Sequence, residues 1–265
     1  MEKVGSVVPV LLTKTMQPAA SSQHCELHGL DVAMEAITIA GKTISVKGQC
    51  PACLEAHSTG QPPDNNLKDF STRVRLRRQA GVPERYLHAS LDDFQEETPA
   101  QKQVAKQLRS FIDGEWRSSP GLLFLGGIGT AKTLLGASLV NYWLNQHGAR
   151  SAHFYTVMNL LRRVKATWNP DAIESESLVY QRLSALPLLV VDEIGVQFGS
   201  PTEKTILTEI VNSRYNALHP TVLIANLTIT ECVEVVGERV MDRFRDGGHA
   251  LAFTWPSQRG IRVPL

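Results

Sequence analysis

The run Gly126-Gly127-Ile128-Gly129-Thr130-Ala131-Lys132-Thr133 constrains the fold most, because it follows an apolar stretch, Leu122 to Leu125, and opens a helical pattern, Thr133 to His147. A glycine-rich loop between a strand and a helix lets backbone N–H groups curl around phosphate oxygens while the helix N-terminus adds its positive dipole end. The spacing is that of a phosphate loop except at Ala131, where the last glycine of the pattern would stand. Alanine there costs little if the backbone is right-handed helical, since glycine is needed only where φ is positive or a Cβ would clash. In this reading the loop binds ATP, Lys132 reaches the terminal phosphates and the Thr133 hydroxyl holds Mg²⁺. The plain alternative is a glycine-rich turn before a core helix, buried through Leu134, Leu135, Leu139, Val140 and Trp143.

A second segment completes such a site. Leu188-Leu189-Val190-Val191 is a continuous apolar run, as expected of a strand covered on both faces, and it ends in Asp192-Glu193. Carboxylates at the tip of a buried strand lie where open α/β sheets bind ligands. Asp192 is placed to orient Mg²⁺ or its water, and Glu193 to polarise the water that attacks the γ-phosphate. Around these segments strands and helices alternate. Strands are expected at 151–155, 221–225 and 250–253, and helices at 99–111, 157–168, 202–217 and, as helical turns, 230–244. Such alternation predicts an α/β fold, a parallel sheet flanked by helices.

Before residue 73 the composition changes. Three of the four cysteines lie near the N-terminus, too sparse for a disulfide scaffold and paired in metal-binding spacing: Cys25-Glu26-Leu27-His28 and Cys50-Pro51-Ala52-Cys53. Cys25, His28, Cys50 and Cys53 would close a tetrahedral shell around structural Zn²⁺, with His24 and His57 as substitutes for His28. Between the pairs, 36–39 and 43–46 read as a hairpin, so a small zinc-ribbon-like module is expected. The organisation is a flexible arm over 1–24, the zinc module over 25–56, a turn-rich linker over 57–72 and an ATPase domain over 73–265. Ordinary reduced thiols are the alternative for the cysteines.

With 43% hydrophobic and 20% charged residues, the composition is that of a globular protein, and a net charge of +1 means any nucleic-acid contact needs a local basic patch. Two patches qualify: Arg73, Arg75, Arg77 and Arg78, and a helix carrying Arg162, Arg163, Lys165 and Trp168, where an aromatic platform beside cations suits single strands. A solvated helix face with Trp168 closing the core is the alternative. No stretch is apolar enough for a membrane helix, and Val4 to Leu12 is a poor secretory leader, so a cytoplasmic location is expected.

The segment Arg78 to Arg259 resembles the DnaC and IstB group of AAA+ ATPases. The resemblance is carried by Gly81-Val82-Pro83-Glu84-Arg85-Tyr86, the phosphate loop, Val190 to Gln197 and Gly237-Glu238-Arg239-Val240-Met241-Asp242-Arg243-Phe244. It implies an AAA+ P-loop fold. It further implies that Asn226 senses the γ-phosphate, that Arg259 is a second sensor, and that Arg243 is an arginine finger reaching a neighbouring subunit, so that the chain self-assembles. The plain alternatives are that Asn226 caps the helix beginning near Thr230 and that Arg243 is a helix-surface salt-bridge partner of Glu238, Asp242 or Asp246. The implied function is a loader that grips a hexameric replicative helicase and delivers it onto single-stranded DNA. An IstB-like transposition helper and a zinc-ribbon DNA-binding adaptor with weak ATPase activity are the alternatives.

The metal reading is testable directly. The purified protein is expected to carry one equivalent of zinc by atomic absorption, and Cys50→Ser with Cys53→Ser is expected to lose it; full zinc content in the double variant would exclude these ligands.

Overall fold

The computed structural model describes residues 22–24, 31–39, 42–47, 70–195 and 200–259. Two compact units divide between Asp64 and Asn65, within the segment read as a linker. In the first, β1 (Ser22–His24), β2 (Asp31–Ile39) and β3 (Lys42–Lys47) form an antiparallel sheet in that order. Ile37 pairs with Ile44 and Ile39 with Lys42, which is the expected hairpin, while β1 comes from the segment read as an arm. Cys25, His28, Cys50 and Cys53 lie outside the described residues.

Among its described residues the second unit starts with α1 (Phe70–Gln79), which includes the last residues assigned to the linker. Then follow α2 (Pro99–Asp113), β4 (Gly121–Gly126), α3 (Lys132–His147), β5 (Ala152–Thr156), α4 (Val157–Ala166) and α5 (Glu176–Ala185). The chain continues through β6 (Leu188–Ile194), α6 (Pro201–Asn216), β7 (Thr221–Ala225), α7 (Ile229–Val236), α8 (Glu238–Arg245) and β8 (His249–Phe253). The five strands pair in parallel in the order β5-β6-β7-β4-β8.

Side chains two apart on a strand share a face, and this period divides the core. Leu122, Phe124, Val190, Val222 and Ile224 pack with Leu135, Leu139, Val140 and Trp143 of α3 and with Val104, Leu108 and Phe111 of α2. Leu123, Leu125, Leu189, Val191 and Leu223 face the other way, onto Leu160 and Val164 of α4, Ile206 and Ile210 of α6 and Val240 and Phe244 of α8. Both faces of β4, β6 and β7 are therefore covered, which is why these strands read as unbroken apolar runs. Of the apolar face expected on α3, Leu134 is only partly buried.

Helix ends follow local chemistry. Thr98 with Gln101 and Thr228 with Glu231 form capping boxes, and Pro99 and Pro201 occupy first turns where a missing N–H costs nothing. Gly237, at φ 91, ends α7 and divides the helical turns expected over 230–244 into two helices. Helix α5 gives little periodic signal because only Val179 and Leu183 are buried in it.

One buried cation knits the far end of this unit. Arg214 on α6 is fully buried, and its guanidinium donates to Thr221 Oγ1 (2.9 Å), Leu183 O (2.6 Å), Leu186 O (2.7 Å) and Pro220 O (2.7 Å). Burial pushes its pKa down to about 9, still charged at neutral pH. Removing it leaves several acceptors desolvated and unpaired. Arg214→Leu is therefore expected to lower unfolding stability by about 3 kcal/mol or more, read from urea denaturation; a loss under about 1 kcal/mol would show that these carbonyls find other donors.

Candidate functional site

The C-terminal ends of β4, β6 and β7 open into a cleft of about 300 Å³. Its walls bring together Ile128, Gly129, Thr130, Ala131, Lys132, Thr133, Asp192, Glu193, Asn226 and Arg259, which the sequence had singled out from four separate segments. Arg85, Tyr86, Leu134 and Gln258 also line it and had no assigned site role. The stretch Gly81 to Tyr86 was visible as a motif, but nothing local in it announces a ligand.

The loop is held between its own strand and the segment after β8. Gly126 (φ 139) and Gly129 (φ 80) could not carry side chains, because a Cβ would lie 2.3 Å from Phe253 O and 2.0 Å from Ser257 Oγ respectively. The Gln258 N–H donates to Gly129 O at 2.9 Å, tying the neighbourhood of Arg259 to the loop. Thr130 Oγ1 donates to Gly127 O at 2.8 Å. Lys132 Nζ folds over the same turn, donating to Gly126 O at 2.9 Å and Gly127 O at 2.5 Å. Burial lowers its pKa to about 8; Asp192 opposes the shift and Arg259 adds to it. Below that pH the ammonium is charged and available to an anion.

Ala131 overturns the condition under which alanine was harmless. Its φ is 71° and ψ 13°, the left-handed region, so it occupies a position that the loop geometry reserves for glycine. The lost freedom is a strain of about 1–2 kcal/mol. Its methyl group packs against the core, which recovers part of it.

The acids are delivered by a bulge. Register between β6 and β7 shifts between Val191 and Ile194, and Ile194 pairs with Ala225. Leu189, Val191 and Ile194 all face the same core layer, so one extra residue has been inserted and Asp192-Glu193 leave the alternation together. Glu193 consequently stands at φ 62 with its side chain exposed, while Asp192 stays buried. A glutamate held in the left-handed region costs about 1–3 kcal/mol, and such strain clusters at functional positions. Burial raises the pKa of Asp192; the Thr133 hydroxyl and the Glu193 N–H, at 2.7 Å from Oδ1, pull the other way. The paired Thr133 hydroxyl and Asp192 carboxylate are hard oxygen donors on one spot, the set that Mg²⁺ takes beside phosphate.

Asn226 follows β7 directly and lines the cleft, whereas the cap of α7 is Thr228, so the capping alternative for Asn226 falls. Arg243 is elsewhere. It sits on α8, where Nε donates to Asn212 Oδ1 at 3.0 Å and the guanidinium carbon lies 4.9 Å from the Tyr215 ring centre. Of the basic patches, Arg77 donates to Leu87 O at 2.6 Å and Arg78 pairs with Glu84 at 2.7 Å. Arg163 donates to Tyr155 Oη at 2.7 Å, Lys165 pairs with Glu203 at 2.8 Å, and Trp168 is 48% exposed, which removes the reading of Trp168 as a closed core residue. Among the described residues no helix is long and apolar enough to cross a membrane, and no cluster of three or more His, Cys, Asp or Glu could hold a metal.

Residues 65–246 match the family described as IstB-like ATP binding protein. The chain is 32% identical over 186 residues to the replicative helicase loader DnaC of Buchnera aphidicola subsp. Acyrthosiphon pisum (strain APS), covering 70% of this chain and 75% of the relative. It is 31% identical over 186 residues to DnaC of Escherichia coli (strain K12), with the same coverage of 70% and 75%. A crystal structure of the DnaC helicase loader superimposes with a TM-score of 0.57 at 22% identity, over 64% of this chain and 99% of that one, and so shares the fold.

The strain at position 131 has a measurable consequence. Ala131→Gly is expected to raise stability by about 1 kcal/mol, a rise of roughly 2–4 °C in the thermal midpoint. A lowered midpoint would mean that packing of the methyl group outweighs the backbone strain.

Proposed function

The chain belongs to the family of IstB-like ATP binding proteins, among relatives of DnaC, and from that premise we propose that it is an ATP-dependent loader of a replicative helicase. The observation that carries this reading is the convergence of the loop, Asp192-Glu193, Asn226 and Arg259 on one cleft, in a chain 32% identical over 186 residues to a DnaC loader. In this reading the phosphates of ATP take over Lys132 from the carbonyls of Gly126 and Gly127, which exchanges neutral acceptors for charged ones. Thr133 and Asp192 would hold Mg²⁺, which when bound would supply charge neutralisation to the phosphates. Glu193, carried out of the sheet by the bulge, accepts the proton of the attacking water. Asn226 and Arg259 read the γ-phosphate and stabilise its departure.

Hydrolysis then acts as a switch on assembly. Arg243 lies outside its own cleft, as a finger acting in a neighbouring subunit must. Release from Asn212 and from the Asp242 carboxylate, 3.6 Å from Nη1, would free it for a γ-phosphate in trans. Its load is a hexameric helicase, and the single strand meets the half-exposed Trp168 beside Arg162 and Lys165. The N-terminal unit, with zinc on Cys25, His28, Cys50 and Cys53, is the natural helicase contact, since it lies outside the ATPase domain. The family description favours a second reading, an IstB-like helper of DNA transposition, because the two share this ATPase core.

The deciding experiment is co-purification of the full chain with the replicative helicase of its host in ATP and in ADP. A complex is expected in ATP, and Glu193→Gln should retain it while slowing turnover by at least about a hundredfold. Absence of a complex in either nucleotide would favour the second reading, with a transposase as the partner to try.

A further inference from the structure

The wall of the cleft that carries Arg85 and Tyr86 is held from outside by two side chains that do not line the cleft. Asn141, on α3 and 2% exposed, donates through Nδ2 to Tyr86 O at 2.9 Å and Ala89 O at 2.8 Å. Both partners are carbonyls, so only the amide NH₂ can face them and the side-chain orientation is fixed. From α1, Arg77 Nη1 donates to Leu87 O at 2.6 Å, while its Nη2 reaches Asn145 Oδ1 at 3.3 Å. The carbonyls of Tyr86, Leu87 and Ala89 are thus clamped by side chains of two helices. One of them, α3, begins at Lys132 in the phosphate loop.

The clamped segment differs chemically from the rest of the site. Asp192, Glu193 and Asn226 come from β6 and β7, on one side of β4. Tyr86 is the only aromatic side chain among the described residues that line the cleft, and the Arg85 guanidinium carbon lies 5.9 Å from its ring centre. A flat ring beside a planar cation offers faces on which a nucleobase can stack, which the loop, the two acids and Asn226 do not.

We propose that Asn141, supported by Arg77, is a positioning residue that fixes the Arg85–Tyr86 wall for the base end of the nucleotide and so governs base binding without touching the ligand. The inference rests on the reading of the cleft as an ATP site. A merely structural Asn141 would disturb α3 and weaken the phosphate end and the base end alike.

The test uses the full chain and Asn141→Asp, which keeps the shape but turns a carboxylate toward two carbonyls. Dissociation constants are measured for ATP and for inorganic tripolyphosphate, both with Mg²⁺, together with KM and kcat for ATP. The variant is expected to bind ATP about tenfold more weakly, the loss of two hydrogen bonds to the wall, and tripolyphosphate within about twofold of the original chain. KM should rise while kcat at saturation holds. Tyr86→Ala should reproduce the pattern, and Arg77→Met is measured in the same way if Asn141→Asp does not fold. If tripolyphosphate binds too weakly to measure, the KM-against-kcat split decides. Equal weakening of both ligands, or unchanged affinity and KM, overturns the proposal. No ATP binding by the unaltered chain overturns the ATP-site reading itself, and this inference with it.

Discussion

The parallel pairing of β4 with β7 on one side and β8 on the other is the constraint on which the site depends. Leu125 pairs with Ala225 and Gly126 with Phe253, so the loop leaves the sheet level with the residues that follow β7 and β8. Strands about 4.8 Å apart then set Asn226 beside the loop and bring the chain after β8 near it, where the Gln258 N–H bond to Gly129 O holds the Ser257–Arg259 segment. Burial of both sheet faces fixes this register, because sliding a strand by one residue would exchange its two core faces.

Against that regular frame, the working residues occupy irregular positions. Ala131 and Glu193 both have positive φ, and the charged groups of Lys132 and Asp192 are buried. Burial pushes the two ionisable groups toward neutrality from opposite directions, Lys132 down and Asp192 up. A polyanion with its cation relieves both, since each charged form gains a partner. The strained, desolvated state of the site is therefore matched to a charged ligand, and the packed sheet supplies the rigidity that holds it.

Much of this was legible locally. The loop, the acid pair, the strand-helix alternation and the hairpin all follow from spacing and apolar period, because each is a short-range signal. What escaped were features with weak local patterns. Helix α1 buries no residue of its own, α5 buries only two, and Arg85 and Tyr86 reach the cleft through a segment clamped by distant helices. Likewise Arg77 and Arg78 looked like a basic patch, yet both have acceptors within their own fold.

By itself, then, the sequence determined the chemistry of the groups and the period of the elements: phosphate-loop residues, paired carboxylates and a sheet buried on both faces. Only the tertiary structure decided which backbone each group stands on. Whether Ala131 is harmless depends on its φ, and whether Glu193 faces the core or the cleft depends on a bulge against β7. Neither can be read from spacing, because a dihedral angle and a strand register are set by the neighbours that pack around them. The same holds for Asn141, an ordinary helix residue until the fold brings the Tyr86 and Ala89 carbonyls onto its amide.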